Sequence, residues 1–211
     1  MRIEKIWSGA LGNNSYLITD EREKVSALID VGEVNQRVFY AIKAHDIAYV
    51  LLTHCHYDHS GGTQSIKDVT NAKIAIHKDE ADGLLDPDIN LSCAFKQREI
   101  SIKPDVLLED GQEISVGSLK IKVIHTPGHT RGSVCFLVGK TLFSGDTLFR
   151  QNVGRIDLPT GDPVKMKESL LKIKELDSEI KILPGHGEPT ILSDEKETNP
   201  YLNGTSYDFI Y

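Results

Sequence analysis

Thr53 to His59 reads THCHYDH and places four side chains able to bind a metal, His54, His56, Asp58 and His59, in six consecutive positions. Packing three imidazoles and a carboxylate around one point without a cation costs desolvation and, on acidification, like-charge repulsion. A metal relieves both. If the chain stays extended at first, His54 and His56 project to the same side, because side chains alternate along a strand, and Cys55 points away. Asp58 and His59 follow where the chain turns into a helix and aim at a second point close by. One loop can therefore seed two adjacent centres.

Three further ligands stand where a strand should end in a loop: His129 in HTPGHT, Asp146 in SGDTLF and His186 in LPGHG. Gly128, Gly145, Gly185 and Gly187 beside them ease the approach of each side chain to a shared centre. Five neutral imidazoles and two carboxylates suit two divalent ions, zinc first, with iron or manganese as alternatives. Three histidines for one metal and an Asp-His-His set for the other leave Asp146 as the natural bridge. Asp58 and Asp146 are the carboxylates expected at the chemistry. Two dications about 3.5–4 Å apart would hold a bridging hydroxide able to attack at neutral pH.

Such ligands need strands ending at one edge, and the pattern supplies them. Ile3 to Trp7, Ser15 to Thr19 and Ser26 to Val31 read as a meander of short strands. Glu33 to Ala44 has helical spacing, and Ala48 to Thr53 is an apolar run suited to a strand buried on both faces. Ser60 to Val69 reads as a helix, Ala72 to Ile76 as a strand, and Lys78 to Leu85 as a helix ended by Asp86-Pro87. From Asp110 onward EISV, LKIKVIH, VCFLV and TLFSGD form paired strands on two-residue turns. Met166 to Leu176 is an amphipathic helix, Lys181 to Leu183 a short strand, and Ser193 to Leu202 a closing helix. The expected architecture is an α/β, four-layer αββα sandwich.

At 211 residues and 39% hydrophobic, the chain fits a single domain over residues 1–211. A net charge of −7 gives no basic footprint for nucleic acid. The N-terminal stretch MRIEKIWSGALGNNSY has no apolar h-region, and no run approaches the roughly 18 apolar residues of a membrane span, so a cytoplasmic protein without a membrane partner is expected. Cys55, Cys93 and Cys135 lie far apart with no C-x-x-C pair, which indicates neither a disulfide framework nor a thiolate zinc site.

Several other residues carry weaker expectations. Arg155 could bind a substrate carboxylate through its planar fork, or pair with Asp157 or Asp162. Arg131 would alter the charge near the mouth of the site. His125 reads as a packed or supporting histidine, and His45 and His77 as solvated or structural. Asn14 and Tyr16 read as a turn and an ordinary strand. Tyr201, Tyr207 and Tyr211 either line a pocket or anchor the tail.

THCHYDH, TPGHT, SGDTLF and PGHG, in that order over residues 53 to 186, resemble the metal-binding motifs of the metallo-β-lactamase superfamily. Within it, SGDTLFRQNVGRIDLPTGDPVKMKESL and NPYL resemble the short glyoxalase II-like proteins, which hydrolyse thioesters of the hydroxyacylglutathione kind. The resemblance implies that His54, His56 and His129 bind one metal, Asp58, His59 and His186 the other, and Asp146 both. It also implies a small-molecule thioester substrate. The helical C-terminal domain of full-length glyoxalase II, which supplies much of the glutathione site, is not expected in the 25 residues after His186 (211 − 186). A thiolate leaves readily at neutral pH, so thioester hydrolysis needs no separate general acid. The alternatives are an iron-dependent persulfide dioxygenase, similar in THCHYDH and the GR-D segment, then a lactone or phosphodiester hydrolase, and last a non-catalytic metal-binding domain.

Overall fold

The structure is a computed structural model and describes residues 1–8, 12–94 and 99–204. The N-terminal meander forms as patterned, with β1 (Arg2–Ser8), β2 (Asn13–Asp20) and β3 (Val25–Ile29) paired antiparallel. Helix α1 (Gln36–Ala44) opens later than its apolar spacing suggests, because the Asn35 side chain accepts the backbone N–H groups of Arg37 and Val38 and caps it. Strand β4 (Asp46–Leu51) runs parallel to β3 and leads through α2 (Tyr57–Ser60) and α3 (Thr63–Thr70) to the parallel strand β5 (Lys73–His77). Strand β6 (Val106–Leu108) closes this sheet in the order β1-β2-β3-β4-β5-β6.

The helix expected over Lys78 to Leu85 is instead two short 3-10 turns, Lys78–Glu80 and Gly83–Leu85. His77 caps the first turn and Asp82 the second through their side chains. Gly83 also falls mid-segment, where glycine disfavours a continuous helix.

The second sheet contains β7 (Glu113–Val116), β8 (Leu119–His125), β9 (Val134–Val138), β10 (Thr141–Gly145), β13 (Lys181–Pro184) and β14 (Thr190–Ile191), in the order β14-β13-β10-β9-β8-β7. A ribbon of β11 (Leu148–Phe149) and β12 (Asn152–Val153) follows β10. Helix α4 (Pro163–Lys174) is capped by Asp162, with proline in its first turn. The closing helix is divided into α5 (Leu192–Thr198) and α6 (Pro200–Asn203), because the residue before proline leaves the helical region and Asn199 caps the second piece.

Strand alternation sorts the core into three apolar layers. Tyr16, Ile18, Ile29 and Leu51 of the first sheet meet Ile121, Val123, Phe136 and Phe143 of the second. Leu17, Leu28 and Val50 turn outward onto Val38 and Ile42 of α1 and Ile66 of α3. Cys135, Leu142 and Ile182 turn the other way, onto Met166, Leu170 and Ile173 of α4, with Leu192 and Leu202. The αββα arrangement follows from this division. Strands β10 and β13 are parallel, and β8 is parallel to β10 through the antiparallel β9 between them. Their C-terminal ends therefore share one edge. The Thr53 carbonyl accepts the Val134 N–H at 2.9 Å, bringing the loop after β4 to that edge.

Candidate metal centre

All seven candidate ligands meet there. His54 and His56 leave the end of β4, Asp58 and His59 lie on α2, and His129, Asp146 and His186 follow β8, β10 and β13. His54, His56, His59 and His129 are buried, whereas Asp58, Asp146 and His186 are partly open to solvent. The nitrogen and oxygen atoms fall into overlapping groups: His54 with His56 and His129, His54 with His59 and Asp146, and Asp58 with His59 and His186.

Hydrogen-bond partners fix which ring nitrogen faces inward. The Arg155 carbonyl can only accept, so His129 Nδ1 carries a proton and donates to it at 2.6 Å, leaving Nε2 bare. His59 Nδ1 likewise donates to Asp30 Oδ2 at 2.9 Å. Thr53 Oγ1 donates to that same carboxylate oxygen at 2.7 Å and accepts from His54 Nδ1 at 3.0 Å. Nε2 of His54, His59 and His129 is thus the ring nitrogen turned toward the cluster, and the Nδ1 partners orient the rings.

The inward atoms crowd into two adjoining groups. His129 Nε2 lies 2.9 Å from His56 Nδ1, and His59 Nε2 lies 3.2 Å from His186 Nε2. Asp146 reaches both groups, with Oδ1 3.4 Å from His59 Nε2 and Oδ2 3.6 Å from both His129 Nε2 and His186 Nε2. Of the atoms turned toward the cluster, His54 Nε2 and Asp146 Oδ1 are buried and have no hydrogen-bond partner. Such orphans at the convergence of five imidazoles and two carboxylates fit a pair of divalent ions.

Electrostatics agree with a cation-binding donor set. Burial, then the neighbouring imidazoles, hold His54 well below the ordinary histidine range, and burial does the same to His56. Both are kept neutral, as ligands must be. Burial resists charging of His59, but Asp146, Asp58 and Asp30 outweigh it and lift its pKa to about 10, so without a cation the ring is protonated at Nε2 and a metal would displace that proton. Burial opposes ionisation of Asp58 too, yet His59 and His186 hold it well below the usual carboxylate range.

Gly185 shows how tightly the loops close. A Cβ there would lie 2.3 Å from Asp146 Oδ1 and 2.7 Å from His59 Cε1, so a side chain would occupy the space between the two groups.

Three supporting residues did not stand out in the sequence. Asp30, expected inside a strand, lies just past β3 at φ 53°, buried, and its carboxylate joins Thr53 to His59. Asn14 and Tyr16 are more than a turn and a strand. Asn14 Nδ2 donates to the carbonyls of Pro184 and Gly187, both at 2.9 Å, and Tyr16 OH donates to Pro184 at 2.8 Å. Together they grip the loop that carries His186.

Other expectations sort plainly. Cys55 is buried away from the cluster, and burial followed by the Glu80 charge pushes its thiol well above the ordinary range. Arg155 makes a two-bond fork with Asp157, at 2.7 and 2.6 Å. Arg131 turns from the mouth: its Nε donates to the Asp79 carbonyl at 2.9 Å, and its guanidinium pairs with Asp82. His125 stacks on His77, centroids 4.0 Å apart and planes 15° from parallel. With Asp79 these rings form a further group of possible ligands. Near-parallel rings, however, send their lone pairs side by side, and the pair is packing. His45 Nδ1 bonds the Ala41 carbonyl at 2.9 Å and is structural. Tyr201 packs on the outer core by α4, while Tyr207 and Tyr211 lie outside the described residues.

The profile of the metallo-beta-lactamase superfamily matches residues 8–186. The chain belongs to that superfamily. Over 213 residues it is 32% identical to the hydroxyacylglutathione hydrolase GloC of Haemophilus influenzae, covering 98% of this chain and 100% of that one. In structure it resembles the B3 metallo-beta-lactamase BLEG-1, with a TM-score of 0.89, 31% identity, and coverage of 96% of this chain and 100% of that one. It is also similar to TTHA1623, solved in a di-iron-bound form, with a TM-score of 0.83, 32% identity, and coverage of 94% and 100%. The superfamily is one of metal-dependent hydrolases whose members bind two metal ions, and the clusters described above could hold them. Among the described residues no helix is long and apolar enough to cross a membrane.

Proposed function

We propose that this metallo-beta-lactamase superfamily member is a two-metal thioester hydrolase acting on substrates such as hydroxyacylglutathione. His54, His56 and His129 would hold one dication and Asp58, His59 and His186 the other, with Asp146 placed to serve both groups and zinc as the first expectation. The observation that carries the thioester assignment is the similarity to GloC along the whole of that protein. The three ligand groups and the ring orientations fixed by Thr53, Asp30 and the Arg155 carbonyl support the metal assignment.

When bound, two such ions supply a water acidic enough to attack at neutral pH and a Lewis acid for the thioester carbonyl. The protein's own groups set the geometry. Asp58 stays ionised at physiological pH and faces His186 Nε2 at 3.1 Å, where its second oxygen is able to orient a water. Asp30 and the Arg155 carbonyl fix the rings of His59 and His129, so little reorganisation is needed as charge develops. The departing thiolate is stable enough at neutral pH to leave without a proton donor. The Arg155 guanidinium, whose charge bears on His56, recognises a substrate carboxylate in exchange for part of its contact with Asp157.

A panel of hydroxyacylglutathione, a simple acyl thioester, a lactone, a phosphodiester, a β-lactam and a persulfide tests this reading. Chelator-sensitive turnover of the thioesters is expected. Oxygen consumption on the persulfide, or turnover of the β-lactam alone, would overturn it.

A further inference from the structure

Glu80 lies outside the ligand set, in the first 3-10 turn after β5, and is 1% exposed. A buried carboxylate is costly unless its oxygens are hydrogen-bonded. Both oxygens of Glu80 take backbone donors from ligand-bearing loops. Oε1 accepts the N–H of Cys55 at 3.1 Å, and Oε2 accepts the N–H of Gly132 at 2.8 Å. Cys55 stands between His54 and His56, and Gly132 is three residues past His129. One carboxylate thus joins the loop after β4 in the first sheet to the loop between β8 and β9 in the second.

Two observations show that the contact is built rather than incidental. A Cβ on Gly132 would lie 2.6 Å from Glu80 Oε2 and 2.7 Å from both its Cβ and its backbone nitrogen, so the loop passes as near as glycine permits. Arg131, beside it, reaches back to the Asp79 carbonyl and to Asp82 and ties the same two segments. His59, by contrast, is oriented by Asp30, and the His186 loop by Asn14 and Tyr16.

We infer that Glu80 is a positioning residue that sets the distance between His54, His56 and His129, and so controls the affinity of that centre without controlling the other. The inference rests on the two-metal reading above. Its readout is metal retention, which is independent of substrate.

Zinc is titrated against a chromophoric chelator in the wild type, Glu80→Gln, Glu80→Asp and Gly132→Ala, with His129→Ala and His186→Ala assigning the two equivalents. Glutamine keeps the size but replaces one acceptor by a donor, and aspartate keeps the charge but falls a methylene short. Both should weaken the equivalent assigned by His129 about 10–100-fold, the usual range for residues that support metal ligands, and leave the other unchanged. Gly132→Ala strains the same contact from the opposite side and should give the same selective loss. Glu80→Gln with both affinities of the wild type, or with both reduced alike, overturns the clamp alone. A wild type that binds no metal overturns the two-metal reading and the clamp together.

Discussion

Replacing Asp30 by asparagine should disable both centres through proton placement, although Asp30 is not itself among the ligands. Its carboxylate accepts from Thr53 N at 2.8 Å, from Thr53 Oγ1 at 2.7 Å and from His59 Nδ1 at 2.9 Å. An asparagine can keep the first bond, but its amide nitrogen then faces two donors. Thr53 Oγ1 must turn to accept from it, which sends the threonine proton toward His54 Nδ1 and moves the imidazole proton to Nε2. His59 loses its acceptor and meets the same conflict. Each ring would then present N–H where a bare nitrogen is needed. Asparagine tolerates the left-handed backbone as aspartate does, so φ 53° adds no separate penalty. Two hydrogen bonds to a charged acceptor are worth about 1.5–3 kcal/mol each, or roughly 3–6 kcal/mol together. At about 1.4 kcal/mol per tenfold, this predicts a fall of roughly 10²–10⁴ in the product of the two zinc binding constants. Chelator competition measures it, with circular dichroism to confirm the fold. A folded Asp30→Asn protein with wild-type affinity at both centres would refute the tautomer reasoning.

Asp146→Ala should lower the occupancy of both centres, whereas His186→Ala should chiefly empty the second, as elemental analysis beside activity would show. Arg155→Ala should raise KM for hydroxyacylglutathione about tenfold, on the scale of one charged hydrogen bond, with a smaller change in kcat, the pattern of binding lost equally from ground and transition states; steady-state kinetics decide it. Asp20 is held at about 2, chiefly by hydrogen bonds from the Ser118 hydroxyl and backbone N–H, which join the end of β2 to the β7–β8 turn. Its native pKa lies below the unfolded value near 3.9, so its contribution is complete above that value and is lost as pH falls toward 2. The melting temperature of Asp20→Asn should therefore be lower at neutral pH and change less than the wild type's between about pH 4 and pH 2.

The candidate ligands could be read in the sequence because four of them crowd one heptapeptide and the rest end strands beside glycines. The layers could be read because β7 and β8 alternate apolar and polar residues while β9 is a continuous apolar run, as befits a strand covered on both faces. Strands β6, β11, β12 and β14, of two or three residues each, are too short to carry a period in the sequence. The supports were hidden for a different reason. Asp30 looks like an ordinary acidic strand end, and its partners Thr53 and His59 lie 23 and 29 positions away. Glu80 sits in the charged run Lys78–Glu80, which resembles a solvated face until Cys55 and Gly132 close over it from 25 and 52 positions away. Local sequence carries the donors' identities, while topology alone supplies the groups that aim them.

Joint action of two metals in thioester hydrolysis is what this site is expected to deliver. Its most direct test is to strip the protein, return zinc in measured increments, and follow hydroxyacylglutathione hydrolysis against bound metal. Activity should stay low through the first equivalent and rise to its full value as the second binds. Full activity with one metal bound, or none at any loading with oxygen consumed on a persulfide by the iron form, would contradict the account.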